Sequence, residues 1–146
     1  MSAKTIATIG YESETLPVVL DKLKRAGVEV VVDVRAVAAS RRAGFSKTLL
    51  AGSLAEAGID YVHLRQLGTP KPGRQAARAG RITEMRHIFE THLQEPAAQL
   101  ELQQAAEIAD RRKAALLCYE ADPQGCHRLI VAQRISKQLG LPIENL

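Results

Sequence analysis

The stretch "LLCYEADPQGCHR", Leu116 to Arg128, brings both cysteines of the chain together with a histidine, two carboxylates and an arginine. An apolar run from Ala114 to Leu117 delivers Cys118. A second run at helical spacing (Leu129, Ile130, Ala132, Ile135, Leu139) begins just after Cys126, His127 and Arg128. The polar residues therefore lie between a predicted strand and a predicted helix. At or just before a helix N-terminus, unpaired amides and the helix dipole stabilise an anion. Cys126 is accordingly a candidate thiolate nucleophile, with Glu120 and His127 as candidate proton carriers. Cys118, at the end of an apolar strand, reads as a packed residue or as one reaching across to Cys126. Packing alone is the competing reading for Cys126 too.

A metal site built from Cys118, Glu120, Cys126 and His127 is the third option. Adjacent ligands such as Cys126 and His127 converge poorly on one ion at the start of a helix, and familiar zinc spacings differ, so no metal is expected. No cofactor is expected either. "TIGYES" carries one glycine after its strand, too few for a nucleotide loop of the usual kind. The tyrosine-phosphatase spacing C-x5-R is missing, because Gln124 and Ala132 stand six residues after the cysteines.

Arg35 and Arg128 carry planar guanidinium groups suited to bidentate recognition of phosphate or carboxylate, and Ser40 and Arg41 follow Arg35 in the same loop. These four form the candidate binding set. The competing reading gives Arg35 and Arg128 internal ion pairs with Asp33 or Glu120, since buried arginines need such partners. Arg65, Lys71, Arg74, Arg78, Arg81 and Arg86 make a further local basic field, with Glu84 the only acid among them. A phosphate backbone or a charged small molecule would suit it, as would plain solvent. No aromatic residue lies between Arg65 and Arg86 to stack on bases.

The elements that must position these groups alternate between strand and helix. Thr5 to Ile9 reads as a strand. "TLPVVLDKLKRAG" follows as a helix with Thr15 at its N-cap and Gly27 as its stop. "EVVVDVR" is the apolar run of a strand covered on both faces, ending on Arg35. Ser46 caps a helix through Ala57, and Ile59 to Leu64 forms a third strand. Arg65 to Arg81, rich in Gly, Pro and Arg, reads as a long irregular excursion. Two helices (Ile82 to Gln94, Pro96 to Arg112), a strand (Ala114 to Tyr119), a helix (Cys126 to Leu139) and a short strand in "LPIENL" complete the chain. The fold class is thus α/β: a single domain over residues 1–146 with a mostly parallel sheet of four to five strands flanked by helices. In such sheets ligands bind beyond the carboxyl ends of the strands. The clusters after the first, second and fourth strands all fall on that edge.

With 146 residues the chain is long enough to bury a core without metals or disulfides. It has no apolar run near the ~20 residues of a membrane span, and "MSAKTIATIGYE" does not resemble a signal peptide. The expected setting is cytoplasmic, where a disulfide is disfavoured. A net charge of +4 is compatible with an anionic partner but is low for a dedicated nucleic-acid binder.

The motifs "TIGYES", "VVDVRAVAASRRAGFSK", "GIDYVHLRQLGTPKPGR" and "LLCYEADPQGCHR", in this order, resemble the bacterial and archaeal family called domain of unknown function 488. The resemblance covers nearly the whole chain. It falls on Asp33, Val34 and Arg35, on Ser40, Arg41 and Phe45, on Leu67 and Gly68, and on Cys118, Glu120, Cys126, His127 and Arg128. Ala38 stands where many relatives carry proline. The resemblance implies an α/β domain with a site at these residues and names no reaction. Two functional readings follow. The first is an anion-accepting pocket for a phosphate-bearing or other anionic ligand, with cysteine-dependent chemistry at Cys126. The alternative is a nucleic-acid-associated module in which the arginines grip phosphates and the Cys/Glu/Arg cluster is structural.

Overall fold

A strand covered on both faces needs apolar side chains in both directions, and Val30, Val31 and Val32 supply them, each at most 1% exposed. The computed structural model describes residues 4–146. In chain order its elements are β1 (Ile6–Gly10), α1 (Leu16–Arg25), β2 (Val30–Asp33), α2 (Lys47–Glu56), β3 (Asp60–His63), α3 (Lys71–Arg78), α4 (Ile82–Leu93), α5 (Pro96–Arg111), β4 (Ala114–Cys118), α6 (Arg128–Leu139) and β5 (Ile143–Asn145). The five strands form one sheet in the order β3-β2-β4-β1-β5, and every pairing is parallel.

Alternation along β4 divides the core in two. Ala115 and Leu117 pack with Val19 and Leu23 of α1 and Leu50 and Leu54 of α2. Ala114, Leu116 and Cys118 face the other way, onto α4, α5 and α6, where Phe89, Ala105 and Ile135 are buried.

The segment Arg65 to Arg81 is not irregular. It holds a 3-10 turn at Arg65–Leu67 and the helix α3, which starts with a proline in its first turn. Gly73 and Ala76 form the buried side of α3. A Cβ on Gly73 would run into the Thr69 methyl and sit 3.2 Å from Ile88 of α4. The absence of a side chain at Gly73, read in sequence as a helix breaker, is what lets α3 pack onto α4. At the other end of the molecule the tail adds β5 beside β1, with Ile6 opposite Ile143. Among the described residues no helix is long and apolar enough to cross a membrane.

Candidate functional site

The strand order fixes where a crevice opens. β1 and β2 pass to the α1/α2 face, whereas β4, lying between them, passes to the α6 face. The chain therefore parts at the carboxyl end of β4. A cavity of about 840 Å³ occupies that point, bounded by the loops after β1, β2 and β4 and by α3 and the start of α4. Two glycines allow the walls to close. A Cβ on Gly10 would collide with the Glu120 carbonyl, and one on Gly68 would collide with the backbone of Ala36. The end of β1 and the segment leading into α3 are thereby pressed against the loops that carry the candidate site residues.

At the floor, Cys118 points toward α6 and meets Cys126, which lies two residues before α6 begins; their sulfurs are in contact. The two are joined as a disulfide with their Cα atoms 7.5 Å apart, and among the described residues no cysteine is free. Each sulfur has its own N–H donor. Arg128 Nη1 donates to Cys118 Sγ at 2.9 Å, and the Arg128 backbone N–H donates to Cys126 Sγ at 3.4 Å. A carboxylate oxygen of Glu120 lies 3.4 Å from Cys118 Sγ, and burial raises the Glu120 carboxyl above its ordinary value against the opposing effect of Arg128.

His127 is sealed in beside the sulfurs. Its Nε2 lies 2.7 Å from the Val34 carbonyl, which fixes the proton there, and Nδ1 is left as an acceptor 3.6 Å from Cys126 Sγ. Burial lowers its pKa to about 4, with the Val34 hydrogen bond opposing only in part. The imidazole is therefore neutral near pH 7 and lends Cys126 no cation.

Two arginines, Arg35 just after β2 and Arg128 at the start of α6, turn inward. Arg35 is 6% exposed and grips Asp33, with Nη2 to Oδ2 at 2.6 Å and Nε to Oδ1 at 2.9 Å, and it also donates to Tyr11 Oη and the Phe45 carbonyl. Burial works against the Arg35 charge, but the hydrogen bonds and charge of Asp33 more than offset it and hold the guanidinium protonated. Tyr61 Oη adds a hydrogen bond to Asp33 at 2.6 Å, and burial together with that bond raises the phenol pKa. Arg128 is 1% exposed and donates to the carbonyls of Glu120 and Ala121 as well as to Cys118. Burial lowers its pKa to about 10, offset in part by Glu120 and Asp122.

Arg35, Ser40, Arg41, Glu120, Cys126 and His127 all line the cavity, and Arg128 lies behind the lining. Arg74 and Arg78 join them from α3; the sequence assigns these two to the basic excursion and not to the binding set. Ser40 is held by its own loop, its backbone N–H on Ser46 Oγ and its hydroxyl accepting from Arg42 N–H. Sequence reasoning did not single out two aromatic residues of the wall. Tyr11 stacks on Phe45 at 4.2 Å, and Tyr119, 44% exposed, meets Tyr11 edge-on at 5.4 Å. The signal for both was position, since each directly follows a strand that ends at the site.

A family model described as "Domain of unknown function DUF488" matches residues 15–135, most of the chain. No curated protein and no solved structure matches it.

Proposed function

The chain belongs to the domain of unknown function DUF488 family, a membership that names no reaction, and from the site itself we propose that the domain takes up a small anionic ligand in the cavity at the carboxyl edge of its sheet and presents it to the cysteines at the floor. One observation carries this reading. Arg41, Arg74 and Arg78 converge on a cavity whose size, about 840 Å³, is that of a small-molecule site. Behind its lining the guanidinium of Arg128 has no ion-pair partner among the described residues. Arg41 and Arg78, exposed and without ion pairs among the described residues, are cations available to a ligand. Arg35 and Arg128 act by holding the walls and by the field they project. Chemistry, in this reading, belongs to the Cys118–Cys126 disulfide with Glu120 beside it, which a thiol reductant of the cytoplasm would open to two thiols.

The nucleic-acid reading has less behind it. Of the basic residues that would grip a backbone, Arg81 is paired with Glu84, Arg86 donates to Gln124, and Arg74 donates to the Thr69 carbonyl.

Titration of the protein with inorganic phosphate, followed by amide chemical shifts at low salt, tests the proposal. Shifts should gather at Tyr11 to Glu12, Ser40 to Arg41 and Glu120 to Cys126. Arg78→Ala and Arg41→Ala should each weaken them severalfold. Shifts scattered over the surface, or unchanged by both substitutions, would overturn it.

A further inference from the structure

We propose that the Cys118–Cys126 disulfide exchanges with small carboxylate-bearing thiols that enter the cavity, Cys126 taking the mixed disulfide and Cys118 departing as the thiolate. For its substrate class the inference rests on the anion pocket proposed above; for the exchange itself it rests on the disulfide and its neighbours. The disulfide joins the last residue of β4 to the residue two places before α6, and both cysteines line the cavity, so the bond is part of the wall a ligand meets. Room for an attacking sulfur lies beside Cys126. Gly125 precedes it in the same lining, and outside its chain neighbours a Cβ built there would meet nothing nearer than Ile82 at 4.0 Å. Cys118 Sγ is instead flanked by Arg128 Nη1 at 2.9 Å and by a Glu120 carboxylate oxygen at 3.4 Å.

Those neighbours set the direction of the exchange, which runs faster when the departing sulfur is the better stabilised thiolate. Arg128 is buried to 1% exposure with no ion pair among the described residues, so negative charge arriving on Cys118 gives its guanidinium the partner that the oxidised chain lacks. Cys126 Sγ has only the Arg128 backbone N–H at 3.4 Å and the neutral His127 ring. The Glu120 carboxyl, raised by burial, is placed to pass a proton to the Cys118 sulfur. In the first step the thiol, its proton left in solvent, bonds through its sulfur to Cys126 Sγ, and the electron pair of the broken S–S bond goes to Cys118 Sγ. A second equivalent attacks the sulfur of the bound ligand, expels Cys126 as a thiolate and leaves as a symmetrical disulfide. Two thiols are thus oxidised and one protein disulfide is reduced, with two protons returning from solvent to the cysteines, one of them by way of Glu120. Arg41 and Arg78, exposed cations of the lining, would hold the carboxylates.

Mercaptosuccinate and the neutral β-mercaptoethanol are the probes. Each is added to the oxidised full chain at low salt, the reaction is quenched with acid, and the adduct is located by peptide mass spectrometry. A mixed disulfide should appear on Cys126 while far-UV circular dichroism stays native. The rate ratio of mercaptosuccinate to β-mercaptoethanol, divided by the same ratio for the urea-unfolded chain, should be at least about tenfold, and Arg41→Ala with Arg78→Ala should abolish that preference. Cys118→Ser, mixed with the oxidised form of mercaptosuccinate, should accumulate an adduct on Cys126 because the sulfur that would expel it is gone. The wild-type quench decides the question if this variant does not fold. No adduct in the folded chain, an adduct on Cys118, or no preference for the anionic thiol in the wild type would overturn the proposal. Phosphate-induced shifts that persist beside an inert disulfide would overturn this inference alone, whereas their absence together with unselective exchange would overturn the pocket reading as well.

Discussion

Asp33 and Arg35 stand two residues apart at the end of β2 and close on each other in a bidentate ion pair sealed from solvent, with Asp33 0% and Arg35 6% exposed. The pair ties together three segments, because Arg35 also holds Tyr11 and the Phe45 carbonyl, and Asp33 also receives Tyr61. Truncating either partner leaves the other charge buried without compensation. Asp33→Ala or Arg35→Ala should each cost about 3–5 kcal/mol in urea unfolding, and the double variant should cost clearly less than their sum. Additive losses would mean that the pair is not coupled as its geometry requires.

Gly10→Ala should destabilise the domain by at least about 1–3 kcal/mol, as overpacking does, because the new Cβ meets the Glu120 carbonyl and lies 2.9 Å from Arg128 Nη1. The damage should be local to the site. Amide shifts should move at Glu120 to Arg128 and stay in place in α2, and a normal melting temperature would refute the packing described there.

Glu144 ties β5 to its surroundings, and the hydrogen bonds from Lys113 and Thr5 lower its pKa below the ordinary 4.5. A carboxylate lowered in the folded state contributes stability that is full above its unfolded pKa and lost as pH falls through the folded value. The group is partly exposed, its side chain at 41%, so the effect should stay below about 1 kcal/mol. Glu144→Gln should lower stability slightly near pH 7 and change nothing at pH 2 to 3. Denaturation midpoints across that range would show it.

A salt series separates the small-anion pocket from a nucleic-acid surface. Anisotropy of short labelled single- and double-stranded DNA and RNA should show weak binding or none, with little response to Lys71→Ala. A steep fall of affinity with salt, flattened by Lys71→Ala and Arg78→Ala together, would favour the nucleic-acid module instead.

Much of this was legible in the residues. The unbroken Val30 to Val32 run reads as a covered strand, and the carboxyl edge of a parallel sheet, where the cavity lies, could be named as the candidate site before any geometry. Two things were not legible. Pro70, Pro72 and Gly73 read as breakers, yet two of them serve the start of α3 and the third its packing on α4, a tertiary contact that local propensity cannot anticipate. Arg35 follows β2 and Arg128 opens α6, but the direction of a guanidinium depends on which acceptors the fold brings near. Both met inward partners, Asp33 and the Glu120 carbonyl.

The cysteine at the floor of the cavity ends β4, the middle strand of five. Amide protons of that strand, hydrogen-bonded between β1 and β2, should be among the last to exchange with solvent, because edge strands β3 and β5 can fray without exposing them. Sub-global openings that release β5, or α2 with β3, would then leave the sulfur pair and its arginine assembled. Residual structure under mild denaturant should therefore include this site, and its sulfurs should become fully accessible to a reductant only with the global transition.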